Sequence, residues 1–434
     1  MNDELEERSV VTVFLRHDAA VLLLCRSDEV GSYTGRWGGV AGHVEDGDWT
    51  DGHPDGAAHR EISEETGLDP DADATLVRRG DSFTTEDWDL GIRWVVYPYL
   101  FDAATRDIET NYETTDYEWV PPTEVLRRET VLDLWTSYDR VRPTVETVAD
   151  DRDHGSARLS VRALETLRDE AALAVERGGD WTDLAATARE LRDARPSMPV
   201  VANRANRAMA AASDDRTPDA VERAAVDGIE RALTADVDAA TRAGDRLCPR
   251  VATLSRSGTV FDALGAADPE SVLVAESRPG REGVGVAERL TSETDAEVTL
   301  TTDAAFPERL AADAGTLLVG ADAILPDGSV LNKVGTRGAA TVAACEGIET
   351  LVVAASDKVM PAPGSDSDDL EIDREERDAR EVYDGDADVR VANPTFDLTP
   401  ADVVEVVVTE DGALDAADVR DLAGRHRERA AWDE

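Results

Sequence analysis

The chain is short of several things, and each shortage excludes a class of protein. Its 434 residues include three cysteines, Cys25, Cys248 and Cys345, which lie far apart without Cys-x-x-Cys spacing. That pattern builds neither a zinc site nor a disulfide framework, and it suits a reducing compartment. Aromatic residues make up only 5%, and no stretch approaches the roughly 18 apolar residues of a membrane span. The opening MNDELEERSV is acidic and has no apolar run, so no signal peptide is expected and the chain reads as cytoplasmic. Cations are scarce: 45 Lys plus Arg stand against 93 Asp plus Glu, and only Lys333 and Lys358 are lysines. No basic run stands out, so direct nucleic-acid binding is not expected.

What remains is acid, spread along the whole chain. The formal net charge is −48, a field that repels a folded surface strongly at low ionic strength. At about 1 M salt the Debye length shrinks to roughly 3 Å and most of that repulsion is screened. A dedicated basic partner would call for a local acidic block rather than this even spread. The composition therefore points to a salt-rich cytoplasm of the kind halophilic archaea maintain. A hydrophobic fraction of 41% still suffices for cores, and this length implies two or three domains.

Residues 9–26 (SVVTVFLRHDAAVLLLCR) read as two strands around a turn at His17–Asp18. A Gly-rich segment follows, then a helix from about Asp55 to Thr66 closed by Gly67, strands at 92–101 and 117–120, and a helix near 123–137. Near Asp150–Gly155 the pattern changes. From 156 to 243 the chain is Ala-rich and helical, with Thr217–Pro218 as N-cap and N1 and Gly244 at the far end. Beyond 248, apolar runs at 251–254, 271–275, 297–300, 316–319, 350–354 and 403–408 alternate with helical stretches. That alternation implies a doubly wound parallel sheet. The polar stretch 361–381 reads as a surface loop, and no internal repeat is visible.

The segment Arg60–Leu68, REISEETGL, carries the clearest chemistry. On a helix Glu61, Glu64 and Glu65 fall at i, i+3 and i+4, so their carboxylates share a face. Three such neighbours repel unless a cation sits among them, and hard oxygen donors suit Mg²⁺ or Mn²⁺ rather than zinc. Such a cluster can bridge a pyrophosphate and position water. Arg60, four residues before Glu64, is placed to orient that carboxylate, while Ala57, Ala58 and Ile62 supply a packing face. The same residues also fit a plain solvated acidic face. His43, His53 and His59 lack metal-ligand spacing and read as loop or helix residues.

With Gly38–Gly39, Gly42, Gly47 and Asp48 ahead of the helix and Gly67–Leu68 behind it, the segment resembles the Nudix box, Gly-x5-Glu-x7-Arg-Glu-U-x-Glu-Glu-x-Gly-U. Gly42 takes the first glycine position and Asp48 stands where Glu is usual. The spacer to Arg60 is four residues longer than the pattern. The resemblance implies an α/β/α sandwich, with Glu61, Glu64 and Glu65 as metal ligands and catalytic carboxylates and Arg60 as their structural partner. A further glutamate outside the box often assists in this family, and Glu113 and Glu118 are the candidates.

Four phrases in the second part, ARPSMPVVAN (194–203), ESRPGREG (276–283), GADAILPDGSVLNKVGT (320–336) and NPTFDLTP (393–400), are similar in order to the initiation factor 2B α/β/δ family. That family includes ribose-1,5-bisphosphate and methylthioribose-1-phosphate isomerases. The resemblance implies a helical subdomain, a Rossmann-like subdomain and a homo-oligomer formed through this part. ESRPGREG lies between a strand and a helix, where backbone N–H groups and Arg278 can meet phosphate. Asp322, Asn332 and Lys333 lie in another post-strand loop, although turn chemistry accounts for these phrases equally well. Asp322 matches the family's catalytic Asp, whereas Ser255 stands where the isomerases have Cys, and Cys248 is seven residues too early to replace it. Serine is a poor proton donor near neutral pH. The family's Gly-rich, Arg-containing phosphate motif also has no counterpart in 156–172.

The sequence thus leads to an α/β chain in three parts: a Nudix domain at 1–148, a helical subdomain at 149–243 and a Rossmann-like domain at 244–434. The expected activity is Mg²⁺-dependent (or Mn²⁺-dependent) hydrolysis of a small diphosphate-linked nucleoside or sugar derivative, such as ADP-ribose or phosphoribosyl pyrophosphate. The rest of the chain is expected to bind a sugar phosphate or nucleotide as a regulatory or scaffold part. The alternatives are a ribose-1,5-bisphosphate-type isomerase and a translation-related regulator.

Overall fold

The computed structural model describes residues 5–363 and 372–433. The chain divides into two compact units. The first takes in residues up to Thr144 and also Arg168–Gly179, and the second takes in Val145–Leu167 and the chain from Asp180 onward. The expected boundary at 148 lies close to the first break, but the stretch 168–179 groups with the first unit. Its polar groups show why. The Arg168 guanidinium, almost fully buried, pairs with Asp169 at 2.8 Å and donates to the Ala19 carbonyl at 2.9 Å, while the Tyr138 hydroxyl donates to Asp169 at 3.2 Å.

The first unit is an eight-stranded sheet built around two long strands, Glu6–His17 and Ile92–Ala103, which run parallel side by side. Glu6–His17 turns through Asp18 and Ala19 into Ala20–Arg26 and also pairs antiparallel with Val40–His43. Helix Asp55–Thr66 covers one face, with Ala57, Ala58 and Ile62 packed on Val11, Val13 and Leu15. Full burial of Ile62 contributes about 1.5–3 kcal/mol. On the other face Leu134, Tyr138 and Val141 pack against Phe14, Val21, Leu23 and Leu100. These layers are the expected sandwich.

The helix expected over 123–137 is not continuous. A 3-10 turn at Pro122–Leu126 and a short helix at Leu134–Asp139 flank a stretch of turns with one β-bridge, Trp37 to Thr130. Backbone competition explains the break: Trp37 N–H donates to the Glu129 carbonyl and Val131 N–H to the Trp37 carbonyl, so this stretch bonds to a strand instead of to its own next turn.

In the second unit, helices Trp181–Ala194, Pro199–Ala212 and Pro218–Gly244 follow the first part of helix Ser156–Arg177. Thr217 caps the longest of these as expected, its side chain accepting from the Ala220 N–H. The sheet has seven strands in the order Glu297–Thr301, Ser271–Ala275, Arg250–Leu254, Thr316–Val319, Glu349–Val353, Val406–Thr409 and Gly412–Leu414. All neighbours are parallel except the last pair. Apolar clusters lie on both faces, as a doubly wound sheet requires. The winding reverses between Arg250–Leu254 and Thr316–Val319, and the ends of such strands form a crevice.

A three-stranded antiparallel sheet, Ala323–Ile324, Val330–Lys333 and Phe396–Thr399, was not anticipated. It converts the expected loop around Asn332 and Lys333 into a strand. Of the polar stretch 361–381, residues 364–371 lie outside those described, and the remainder includes a short 3-10 turn at Ala379–Glu381.

His426, on helix Ala416–Ala430, offers a test of this core. Burial pushes its imidazole below the ordinary 6.5, against the upward pull of the Ser356 carbonyl 3.1 Å from Nε2. A depressed folded value means the unfolded chain binds the proton more tightly. The stabilisation is therefore complete above pH 6.5 and is lost as pH falls through the lower folded value. Thermal melts between pH 7.5 and 5 in molar KCl should show stability falling with pH, and the slope should shrink in His426→Gln. An unchanged slope would show that another group controls the transition.

Candidate functional site

The carboxylate cluster of the first unit sits where helix Asp55–Thr66 crosses the strand Val40–His43. Glu65 is 4% exposed, and one oxygen accepts the Ala41 N–H at 3.2 Å. Burial first, then the neighbouring Glu61 charge, pushes its carboxyl up to about 8. Glu61 is raised in the same way, chiefly by burial, with Arg60 pulling the other way and Glu64 adding to the rise. Glu64 is exposed on the same helical face.

Gly42 makes the close approach possible, because a Cβ there would lie 2.0 Å from the Glu61 carboxyl carbon. The helix then stops at Gly67, whose φ of 71° lets its N–H return to the Ser63 carbonyl. Among the described residues, no three His, Cys, Asp or Glu side chains already converge tightly enough to cage an ion. The donor set nevertheless fits a hard divalent cation: oxygen ligands only, two of them desolvated beside each other, so that burial and mutual repulsion oppose their charged forms and an entering positive charge would favour them.

Arg60 does not orient Glu64. Its guanidinium donates to Asp48 at 2.6 Å, to the His43 carbonyl at 2.8 Å and to Glu61 at 3.3 Å. Asp48 is buried and also accepts the Glu45 N–H at 2.7 Å. Its burial is outweighed by Arg60 and that amide, which hold its carboxyl below the usual range. The residue at the unusual Asp position is thus the anchor for Arg60. Gly56 lets the helix start against it, since a Cβ at Gly56 would meet the Asp48 backbone at 2.9 Å.

The two outlying glutamates separate. Glu113 raises both Glu61 and Glu65 through its charge, whereas Glu118 pairs with Arg128 at 2.6 Å. His43 stacks on Trp94 and His59 meets the edge of Phe101, so neither joins the cluster.

The second unit holds a cavity of about 580 Å³ at its strand-end crevice. Ser255, Asp322, Asn332 and Lys333 all line it. Arg278 does not: it is exposed, and its backbone N–H and that of Ser277 are taken by Asp303 at 2.6 and 2.8 Å. The ESRPGREG amides therefore already have a carboxylate, and that segment contributes Glu282 instead.

Ser255 follows Arg250–Leu254 with φ of 65°, a left-handed backbone that serine rarely adopts and that marks strained functional turns. Asp322 accepts from the Ser156 hydroxyl at 3.1 Å. Burial raises its carboxyl, opposed by Lys358, by the Ser156 bond and by Lys333. Lys333 binds Glu282 at 2.6 Å, and Lys358 donates to the Ala321 carbonyl at 2.6 Å.

Both lysines of the chain therefore line one cavity, at 8% and 5% exposure. With Arg152, Arg158, Arg195, Arg256, Arg289 and Arg377 they give eight cationic side chains against four carboxylates. Sequence reasoning missed Lys358 and the segment Arg152–Arg158, although Lys358 was conspicuous as one of two lysines. Arg152 and Gly155 both line the cavity just ahead of 156–172, the stretch where a Gly- and Arg-containing motif is expected. Helix Ser156–Arg177 starts at this cavity, so its positive end faces any anion there.

Comparison with known proteins assigns both parts. Residues 152–416 match the Initiation factor 2 subunit family and residues 6–141 match the NUDIX domain. Ribose 1,5-bisphosphate isomerase of Haloferax volcanii is 33% identical over 294 residues, covering 63% of this chain and 90% of that protein. Methylthioribose-1-phosphate isomerase of Pseudomonas putida is 38% identical over 36% of this chain and 44% of that protein. Among solved structures, translation initiation factor eIF-2B of Pyrococcus horikoshii OT3 matches with a TM-score of 0.52 at 26% identity, covering 62% of this chain and 94% of that one. A 5-methylthioribose 1-phosphate isomerase from the same organism, at TM-score 0.51 and 20% identity over 72% of this chain and 89% of that one, shares the fold. The chain belongs to the Initiation factor 2 subunit family and carries a NUDIX domain ahead of that match.

Proposed function

We propose that the first unit is a Mg²⁺- or Mn²⁺-dependent hydrolase of a small diphosphate-linked nucleoside or sugar derivative, of the ADP-ribose or phosphoribosyl pyrophosphate type. The observation that carries this reading is the desolvated Glu61–Glu65 pair, opened by Gly42 and flanked by Glu64. Glu61, Glu64 and Glu65 would hold the cation, which when bound neutralises charge on the diphosphate and acidifies water. The remaining roles fall to this chain's own side chains. Arg60, anchored by Asp48 and the His43 carbonyl, fixes Glu61 from one side. Glu113 adds negative charge beside the cluster. In the reaction a water oxygen bonds to one phosphorus and the P–O–P link breaks. Two phosphate-terminated products leave, and the water's proton passes to a carboxylate of the cluster.

The second unit binds a sugar phosphate or nucleotide in its cationic cavity and acts as a regulatory or scaffold part, with self-association through this unit. The chain works in a salt-rich cytoplasm, the setting its composition suits. A second reading, isomerisation of a ribose-1,5-bisphosphate-type substrate, is favoured by one arrangement: Ser255 and Asp322 line the same cavity. Against it stands the weak acidity of a serine hydroxyl. The two parts fit one sequence of chemistry, since hydrolysing phosphoribosyl pyrophosphate leaves ribose 1,5-bisphosphate.

Three experiments separate these readings. In molar KCl with Mg²⁺, Glu64→Gln and Glu65→Gln should each lower phosphate-ester release from a panel of diphosphates by roughly 10²–10⁴-fold. Undiminished turnover in both would remove the assignment. Gly42→Ala should act more selectively, because the added methyl meets the movable end of Glu61. Melting should stay within about 2–4 °C of the wild type while metal-dependent turnover falls, and retained turnover would show that Glu61 need not occupy this position. Finally, the Glu64→Gln chain given ribose 1,5-bisphosphate should bind it without forming a ribulose product. Appearance of ribulose 1,5-bisphosphate, abolished by Asp322→Asn, would establish the isomerase reading instead.

A further inference from the structure

A second cavity in the same unit, about 530 Å³ in volume, lies among the helices Pro199–Ala212, Pro218–Gly244 and Ala416–Ala430 and the turn Ser356–Lys358. Arg204, Arg207, Arg223, Arg231 and Arg429 line it, with Asp357 at its base. Two further aspartates on the rim leave five cations against three anions. In a chain with 93 acidic residues and 45 basic ones, such a local inversion of sign has to be built.

Asp357 already serves two of the arginines. It accepts from Arg207 Nη2 and, at 3.4 Å, from Arg204 Nε. Arg204 further donates to the Ser160 hydroxyl at 2.8 Å and lies 3.7 Å from Asp236. The others are not served. Arg207 Nε and Arg429 Nη1 are buried with no hydrogen-bond partner among the described residues. Arg223, Arg231 and Arg429 make no ion pair among them either. The charges of Arg429 and Arg231 press on Arg207, adding to burial in lowering its guanidinium below the ordinary value, with Asp357 opposing. Buried donors left without acceptors are costly, and a multiply charged oxyanion would satisfy them.

We propose that this cavity is an anion-binding site for a phosphorylated metabolite, with the phosphate held by Arg207, Arg231 and Arg429. The site is separate from the crevice that holds Ser255 and Asp322. A terminal phosphate is favoured over a carboxylate because three arginines, Arg207, Arg231 and Arg429, line one cavity. Three terminal oxygens on a tetrahedral centre can meet three forks, whereas a carboxylate presents two oxygens in one plane. The volume leaves room for a small organic body beyond the phosphate. The two anion sites share a support, because Asp357 and Lys358 are consecutive on one buried turn and line different cavities. Asn203 fixes that turn from behind, donating to the Asp357 and Val359 carbonyls at 2.8 Å each.

Inorganic pyrophosphate is the probe. It is titrated calorimetrically into the full chain in molar KCl with a chelator present, so that the Glu61–Glu65 cluster repels it rather than binding it through metal. An Arg231→Gln/Arg429→Gln double variant removes two of the three arginines that no carboxylate engages among the described residues. Arg256→Gln/Arg377→Gln serves as the control in the other cavity. Saturable binding should weaken by at least about tenfold in the first variant and persist in the control. Identical isotherms for the wild type and the Arg231/Arg429 variant would overturn the proposal, as would no saturable heat at millimolar pyrophosphate. Sedimentation decides whether the arginines instead meet carboxylates of a second copy. A fall in mass in the Arg231/Arg429 variant, with no pyrophosphate binding by the wild type, would assign the cluster to self-association and also overturn the proposal. Should the double variant fail to fold, Arg231→Gln alone, at an exposed position, provides the same comparison.

Discussion

Like charges held close together away from water are the condition on which each site in this chain rests. Glu61 and Glu65 share a desolvated corner in the first unit. Lys333 and Lys358 are both buried along one cavity of the second unit, and five arginines line another beside Asp357. Desolvation disfavours the charged forms of Glu61, Glu65 and Arg207, and a like neighbour disfavours each further. Rigid elements impose the arrangement, and a guest of opposite sign would restore balance. The chemistry proposed for each site follows from the sign of its excess: a divalent cation for the carboxylates, phosphates for the other two.

Backbone rather than side chain does most of the imposing. In the first unit the helix Asp55–Thr66 is pinned to the sheet by Ala57, Ala58 and Ile62, and small residues at its crossing allow the contact. Gly42 admits the Glu61 carboxylate and Gly56 admits the Asp48 backbone. The Asp at position 48 then makes sense despite its shorter reach. It forms the 3-10 turn Asp46–Asp48 with the Glu45 N–H and still reaches Arg60 at 2.6 Å. The residues inserted before Arg60 form a small closed loop, Thr50 and His53 exchanging backbone hydrogen bonds, so the longer spacer is absorbed ahead of the helix. In the second unit the winding reverses beside Arg250–Leu254, and the left-handed turn at Ser255 lines the cavity there.

Much of this was legible in the sequence because the signals were periodic or local. The carboxylate triplet, the helix closed by Gly67, the Thr217–Pro218 cap and six apolar runs of the second sheet all express repeats of 3.6 or 2 residues or a single cap. The failures have a common physical origin in contacts between distant residues. Arg60 was assigned to Glu64 by helical spacing, but it bends back to Asp48 and the His43 carbonyl, twelve and seventeen residues away. The helix expected over 123–137 broke because its middle bonds to Trp37. Arg278 was placed in a site by its neighbours in the chain, whereas Asp303 had already claimed the local amides. The short strands Ala323–Ile324 and Val330–Lys333 are too brief to show a period. Lys358 needed no structure at all, only the question of why an almost lysine-free chain retains two.

That question has a physical answer in the salt-rich setting proposed for the chain. At about 1 M salt charges act over roughly 3 Å, so neither a net charge of −48 nor a distant basic patch guides a phosphate ligand. Recognition has to occur at contact, by cations that stay dry and in place. An exposed lysine does little under these conditions, because its charge is screened and its long chain costs entropy to order. A buried lysine is different. Lys333 is tied to Glu282 and Lys358 to the Ala321 carbonyl, so each is already immobilised and shielded from bulk ions. In the proposed setting, the scarcity of lysine elsewhere and its retention at this one cavity would be two results of the same screening.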